Sequence, residues 1–194
     1  MALPTYDKTK RRKSFQILPK GAYVVTIKSA KEENNKSGVG THLTIAFDIA
    51  EGEYKGFYQS QFESDTNEDK KWSRDAIYYV TVPNDNSPQY VWDNWNTFFA
   101  DLEDSNGGFV FGGDVKTLKG KLIGGKFHND QSEYNGNVYD HTRMRWTCPA
   151  DDVRNGKPGK MPKDSLIVSS KPAAGATSSD DFMDLPEDNE EFPF

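Results

Sequence analysis

The chain has one cysteine, Cys148, in 194 residues. That excludes an intrachain disulfide and any zinc site built on several thiolates. Cys148 precedes a proline at an expected strand end and has no activating base near it in sequence, so it is not read as a nucleophile. The three histidines, His42, His128 and His141, lack the close pairing of a zinc site, and no metal or cofactor is expected. The chain has neither a Gly-Lys-Ser/Thr phosphate loop nor a Gly-x-Ser-x-Gly elbow. No run approaches the roughly 20 apolar residues that cross a bilayer. The first twenty residues are hydrophilic without an apolar centre, unlike a secretory signal. The expectation is a soluble, cytoplasmic, non-enzymatic protein without a membrane partner.

One pattern resembles catalytic chemistry. Asp48 followed by Glu53-Tyr54-Lys55 contains the Asp and Glu-x-Lys that magnesium-dependent nucleases place on adjoining strands. Here both acids bracket one tight turn, and a solvated hairpin is the stronger expectation.

Acidic residues outnumber basic ones, for a net charge of −6. The excess is local. The last fifteen residues hold seven acids and no base, which leaves the other 179 near +1. Lys8, Lys10, Arg11, Arg12 and Lys13 cluster at the front, so a nucleic-acid partner is permitted by charge but not demanded by it. Aromatic residues make up 13% of a chain that is only 35% hydrophobic. Either the core is rich in rings or many rings lie on the surface for stacking.

Residues 1–17 form a basic arm. Residues 21–30 have strand composition, and a polar loop leads to a second strand over 41–50. There Leu43, Ile45, Phe47 and Ile49 alternate with His42, Thr44, Ala46 and Asp48, giving one buried and one wet face. Residues 51–56 read as a hairpin turn, 57–62 as a third strand, and 72–82 as an extended excursion. Ser87 is the expected N-cap and Pro88 the first residue of a helix. Its inner face carries Val91, Trp95, Phe98 and Leu102, with Trp92 and Phe99 beside them, and Ser105-Asn106-Gly107-Gly108 stops it. A fourth strand over 119–129 contains Gly124-Gly125, which signals a bulge or sharp bend. An Asn-Gly turn at 135–136 leads to a fifth strand over 138–147. Its alternation puts Val138, Met144 and Trp146 on one face and Tyr139, His141, Arg143 and Arg145 on the other. Residues 154–179 have linker composition. The order predicts a mainly β five-stranded OB-fold barrel over 18–153, with one helix between strands 3 and 4 and a disordered acidic C-terminal tail.

Single-stranded nucleic acid is held by cations along its phosphates and by rings stacked on its bases. The outer face of the last strand offers Tyr139, Arg143 and Arg145. Lys126 and His128 share a face of the strand before it. Tyr58 and Phe62 share a face of the third, Trp72 and Arg74 open the excursion, and Lys28 and Lys36 edge the first loop. Trp95, Phe98 and Trp146 are assigned to the core. An oligosaccharide-binding barrel would use similar rings without the salt dependence. The sequence shows no interface stripe and leaves a homo-oligomer open.

The tip, residues 180–194, sets its acids around Phe182, Met183, Leu185, Phe192 and Phe194. Acids around apolar anchors, ending on a carboxylate, suit a basic, apolar pocket on another protein.

Several stretches together resemble a known family. They are Leu18-Pro19-Lys20-Gly21-Ala22-Tyr23, Phe47-Asp48-Ile49-Ala50-Glu51-Gly52-Glu53-Tyr54-Lys55-Gly56-Phe57-Tyr58, Ser105-Asn106-Gly107-Gly108-Phe109, Leu118-Lys119-Gly120-Lys121-Leu122-Ile123-Gly124 and Arg154-Asn155-Gly156-Lys157. In order, they cover most of residues 18–165, and they resemble the OB-fold single-stranded DNA-binding proteins of phages and conjugative elements of Gram-positive bacteria. The tip is similar to the acidic tails of bacterial single-stranded DNA-binding proteins, though it ends on Phe-Pro-Phe behind glutamates. The resemblance implies that Pro193 and Phe194 anchor replication, recombination and repair proteins, with Asp188, Glu190 and Glu191 as steering charges; Phe192 is counted with them as partner-binding. It also implies a place in the bacterial host cell.

Overall fold

The computed structural model describes residues 16–35, 38 and 40–167. Lys36, the basic run at 8–13 and the acidic tip lie outside the described residues. Five strands make one open antiparallel sheet in the order β3-β2-β1-β4-β5. They are β1 (Ala22–Asn34), β2 (Thr41–Ile49), β3 (Ile77–Thr81), β4 (Leu122–Tyr134) and β5 (Asn137–Cys148). Among the described residues, helices α1 (Phe57–Ser64) and α2 (Gln89–Ser105) lie between strands, and α3 (Ala150–Arg154) follows β5. Among the described residues no helix is long and apolar enough to cross a membrane.

The alternation in β2 places Leu43, Ile45, Phe47 and Ile49 in the core, where they meet Val25 and Ile27 of β1 and Val80 of β3. Each such side chain contributes roughly 1.5–3 kcal/mol on burial. The core is rich in rings: Phe47 lies edge-on to Tyr58 at 5.9 Å and to Phe127 at 5.7 Å. α2 closes it with Phe98, Phe99 and Leu102. At the end of α2 the Asn106 amide donates to the carbonyls of Leu102 and Leu122, both at 2.7 Å, and accepts the N–H of Leu122 at 3.0 Å. One side chain thus ends the helix and ties it to β4. At the other end, Pro88 is the N-cap in place of Ser87, whose hydroxyl accepts the Asn84 N–H instead.

Several expectations need correction. The sheet is open, since β3 and β5 are its two edges, and is not a closed barrel. The expected third strand over 57–62 is helix α1, and the third strand comes from the excursion as β3. The cause lies in Asp48, which is 3% exposed and accepts the N–H groups of Ile49 and of Tyr58. The Tyr58 N–H is one of the donors a helix start leaves unpaired, so the carboxylate acts as its cap. Phe57, Tyr58, Gln61 and Phe62 then fall at helical rather than alternating spacing. Asp48 is therefore not part of a solvated hairpin.

The third correction concerns residues 154–167, read as linker. Arg154 ends α3, and the segment after it lies along β4. β1 pairs with β4 only as far as Ala22↔Lys126. Phe127 N–H still reaches the Gly21 carbonyl at 2.8 Å, and beyond it β4 lacks a strand partner on that side among the described residues. The segment supplies the partners: Ser165 donates to the Asn129 carbonyl at 2.9 Å and accepts from Gln131 at 3.1 Å.

The fourth concerns Trp146. In β5, Trp146 pairs with Lys126 but Met144 pairs with Phe127, so Arg145 is an extra residue and the alternation slips by one. Met144 stays in the core while Trp146, 40% exposed, turns outward. Gly124 and Gly125 are not the bulge. They are close-approach positions, where a Cβ on Gly124 would stand 2.8 Å from the Cys148 carbonyl oxygen, Cys148 Sγ and Val153 Cγ2. Gly124→Ala is expected to destabilise the fold by about 1–3 kcal/mol, despite alanine's lower entropy cost in a strand. Urea denaturation checks this, and an unchanged midpoint would contradict it.

Candidate nucleic-acid interface

The register fixes what the sheet presents outward. On β2 and β3 the pairs His42↔Thr81 and Thr44↔Tyr79 lie opposite the core pairs Leu43↔Val80 and Ile45↔Tyr78. Tyr79 is 61% exposed and meets the His42 ring at 5.3 Å. His42 is held in turn by Asn35, whose Oδ1 lies 2.7 Å from its Nδ1. At the far end of the sheet the β4–β5 hairpin turns at Asn135 and Gly136, both at positive φ. It exposes Tyr134 and Tyr139, 69% and 47% accessible.

Between the two edges the 3-10 turn Arg74–Ala76 approaches β5. Asp75 accepts from Arg143 Nε at 3.2 Å and from His141 Nδ1 at 3.1 Å. Arg143 Nη1 also donates to Asp130 at 2.8 Å, and His141 Nε2 lies 2.8 Å from the Ser132 hydroxyl. A carboxylate just ahead of β3 thus clamps β5 across the open side of the sheet.

The expected contact residues divide into three groups. Tyr139, Arg74 and Arg145 are on the surface around this gap; Arg74 is exposed beside Asp75, and Arg145 is exposed close enough to Tyr78 to oppose the rise in its pKa. Burial still holds the Tyr78 hydroxyl up at about 12. Lys28 is exposed too, on β1, where it is the extra residue between the pairs Ile27↔Phe47 and Ser29↔Ala46. Both sheet bulges therefore present a cation, as bulges do where a side chain must be re-aimed.

Other residues are engaged elsewhere. Tyr58 is 2% exposed, because α1 turns it onto Phe47. His128 is 6% exposed under the 155–167 segment and donates to the Lys163 carbonyl at 3.0 Å. Lys126 Nζ donates to the Pro158 carbonyl at 3.1 Å. Arg143 serves the clamp. Phe62 and Trp72 are half-buried against each other, with ring centroids 5.8 Å apart. Lys36 and the tip residues Asp188, Glu190, Glu191, Phe192, Pro193 and Phe194 lie outside the described residues.

Sequence reasoning missed Tyr79, Tyr134, His42 and Asp75. The alternation of Tyr79 and Thr81 with Tyr78 and Val80 was the available signal for Tyr79. Nothing in the sequence singles out Asp75 among 30 acids. Among the described residues no three His, Cys, Asp or Glu are grouped to hold a metal ion. Burial pushes the Cys148 thiol up to about 11, so at neutral pH it is protonated and a poor nucleophile.

The class defined by these features is a mainly β open sheet with rings and cations along its outer face and open side. A family model described as "Protein of unknown function (DUF669)" matches residues 4–84, the stretch that runs through β1, β2, α1 and β3. No curated protein matches the chain.

Asp75→Ala would leave Arg143 and His141 without their shared acceptor. It is expected to lower stability by about 1–3 kcal/mol, whereas Lys28→Ala, on an exposed bulge, should change it by less than about 0.5. Parallel urea titrations check the contrast, and equal effects would contradict it.

Proposed function

We propose that this protein binds single-stranded DNA with little sequence preference, across the outer face of β2 and β3 and the open side between β3 and β5. The observation that carries the reading is the exposure of Tyr79, Tyr134 and Tyr139 on that face and its flanking hairpin. Exposed rings of this size cost solvation unless a partner covers them, and bases stack on them without regard to sequence. Arg74, Arg145 and Lys28 stand ready to follow the phosphates. The strand order β3-β2-β1-β4-β5 supports an OB-type origin, since it is the order an OB barrel would have if opened between its third and fifth strands. In that fold the strand 2–3 face and the β1–β2 and β4–β5 loops take oligonucleotides. The acidic tip, on this reading, recruits replication, recombination and repair proteins to coated strands in a phage-infected or element-bearing bacterial cell.

Fluorescence anisotropy with labelled oligo-dT tests the proposal. Binding should weaken steeply with salt as phosphate contacts release counterions. Tyr79→Ala and Tyr139→Ala should each cost about 1–3 kcal/mol, roughly five- to 150-fold in Kd. Salt-insensitive binding, or full affinity in both variants, would overturn it.

A further inference from the structure

Behind Tyr139 the space between α1 and β5 deepens into a groove of about 540 Å³. That lies within the roughly 300–1,000 Å³ of small-ligand sites. Phe57, Tyr58, Phe62 and Tyr139 give it aromatic walls, and Ser73 and Asp75 stand on its polar side. Tyr58 is the informative member. Its ring packs edge-on against Phe47 and Phe57. Its hydroxyl is sealed from water and has no hydrogen-bond partner among the described residues. A buried hydroxyl without a partner lowers stability, and phenylalanine would pack the same ring without that cost. Burial also keeps the phenol protonated, with Asp75 the strongest of the neighbouring charges acting on it. It is a fixed neutral donor that the fold itself does not use.

We propose that the groove receives one unstacked base of the bound strand, with its faces against the aromatic walls and its polar edge hydrogen-bonded by the Tyr58 hydroxyl. This rests on the single-stranded DNA reading and extends it from surface stacking to a seated base. The lining favours a neutral heterocycle over a phosphate, because Asp65, Asp75 and Asp140 face Lys71 and His141 there. Cations for the flanking phosphates lie outside it, in the exposed Arg74 and Arg145. Splayed bases are recognised in this way, by stacking plus hydrogen bonds to an exposed edge. The hydroxyl is sealed in this structure, so a base reaches it only as the groove lining shifts around Tyr58.

The test is Tyr58→Phe in the full chain, with thermal melts and anisotropy on a mixed-sequence single strand and on an all-abasic strand of equal length. The expected result is a melting temperature equal to or above that of the parent. Affinity for the mixed strand should fall about fivefold or more, as expected when a site loses a hydrogen bond to its ligand, with no difference between the two proteins on the abasic strand. A lowered melting temperature with equal losses on both strands would make Tyr58 structural and overturn the proposal. Unchanged affinity for the mixed strand would overturn the seated base and leave surface binding intact. Failure of the parent protein to bind either strand would overturn the single-stranded DNA reading itself.

Discussion

One carboxylate ties the two edges of the sheet across its open side, where α2 also packs against both. β3 and β5 do not pair, so the backbone ladder that joins the other strands stops at these two edges. Asp75 bridges them, with Arg143 and His141 gathered on it from β5. The bond to Asp130 keeps Arg143 in place, and the whole network is only partly exposed, so its attraction is less screened than that of a surface pair. Asp75 and His141, two members of this bridge, also line the groove that Tyr139 borders. Arg143, spent on it, is not free for a phosphate. Arg145, pushed out by the bulge two residues later, has no ion pair among the described residues.

A division of labour among the aromatic residues follows. Tyr58, Phe47, Phe127, Phe98 and Phe99 build the core. Tyr79, Tyr134, Tyr139 and Trp146 remain outside at a cost in solvation that the fold does not recover. The composition left open whether the rings were internal or external, and both hold. The two sheet bulges sort the cations in the same manner, setting Lys28 and Arg145 outward from strands whose other faces are packed.

Much of the sheet was legible because β2 and the helix α2 carry clean periodicities, and because Asn135-Gly136 has few other uses than a tight hairpin turn. What escaped was set by contacts distant in sequence. Phe57 and Tyr58 have strand composition, but a carboxylate ten residues before Tyr58 caps a helix there. Trp146 looks like core until one extra residue shifts its face. His128 and Lys126 look like a wet face until residues 155–167 return to cover them. Of the candidate site, Tyr139 and Arg145 were readable from alternation beside charge. Asp75 was not, because its role exists only once β5 has come round to meet it.

The most direct measurement is photo-crosslinking of a bromouracil-substituted single strand to the full chain, followed by peptide mapping. The proposed interface predicts adducts at Tyr79 on β3 and at Tyr139 or Tyr134 on the β4–β5 hairpin. Adducts confined to Tyr90 and Trp92, the exposed rings of α2, would place the strand on the opposite element and contradict the account.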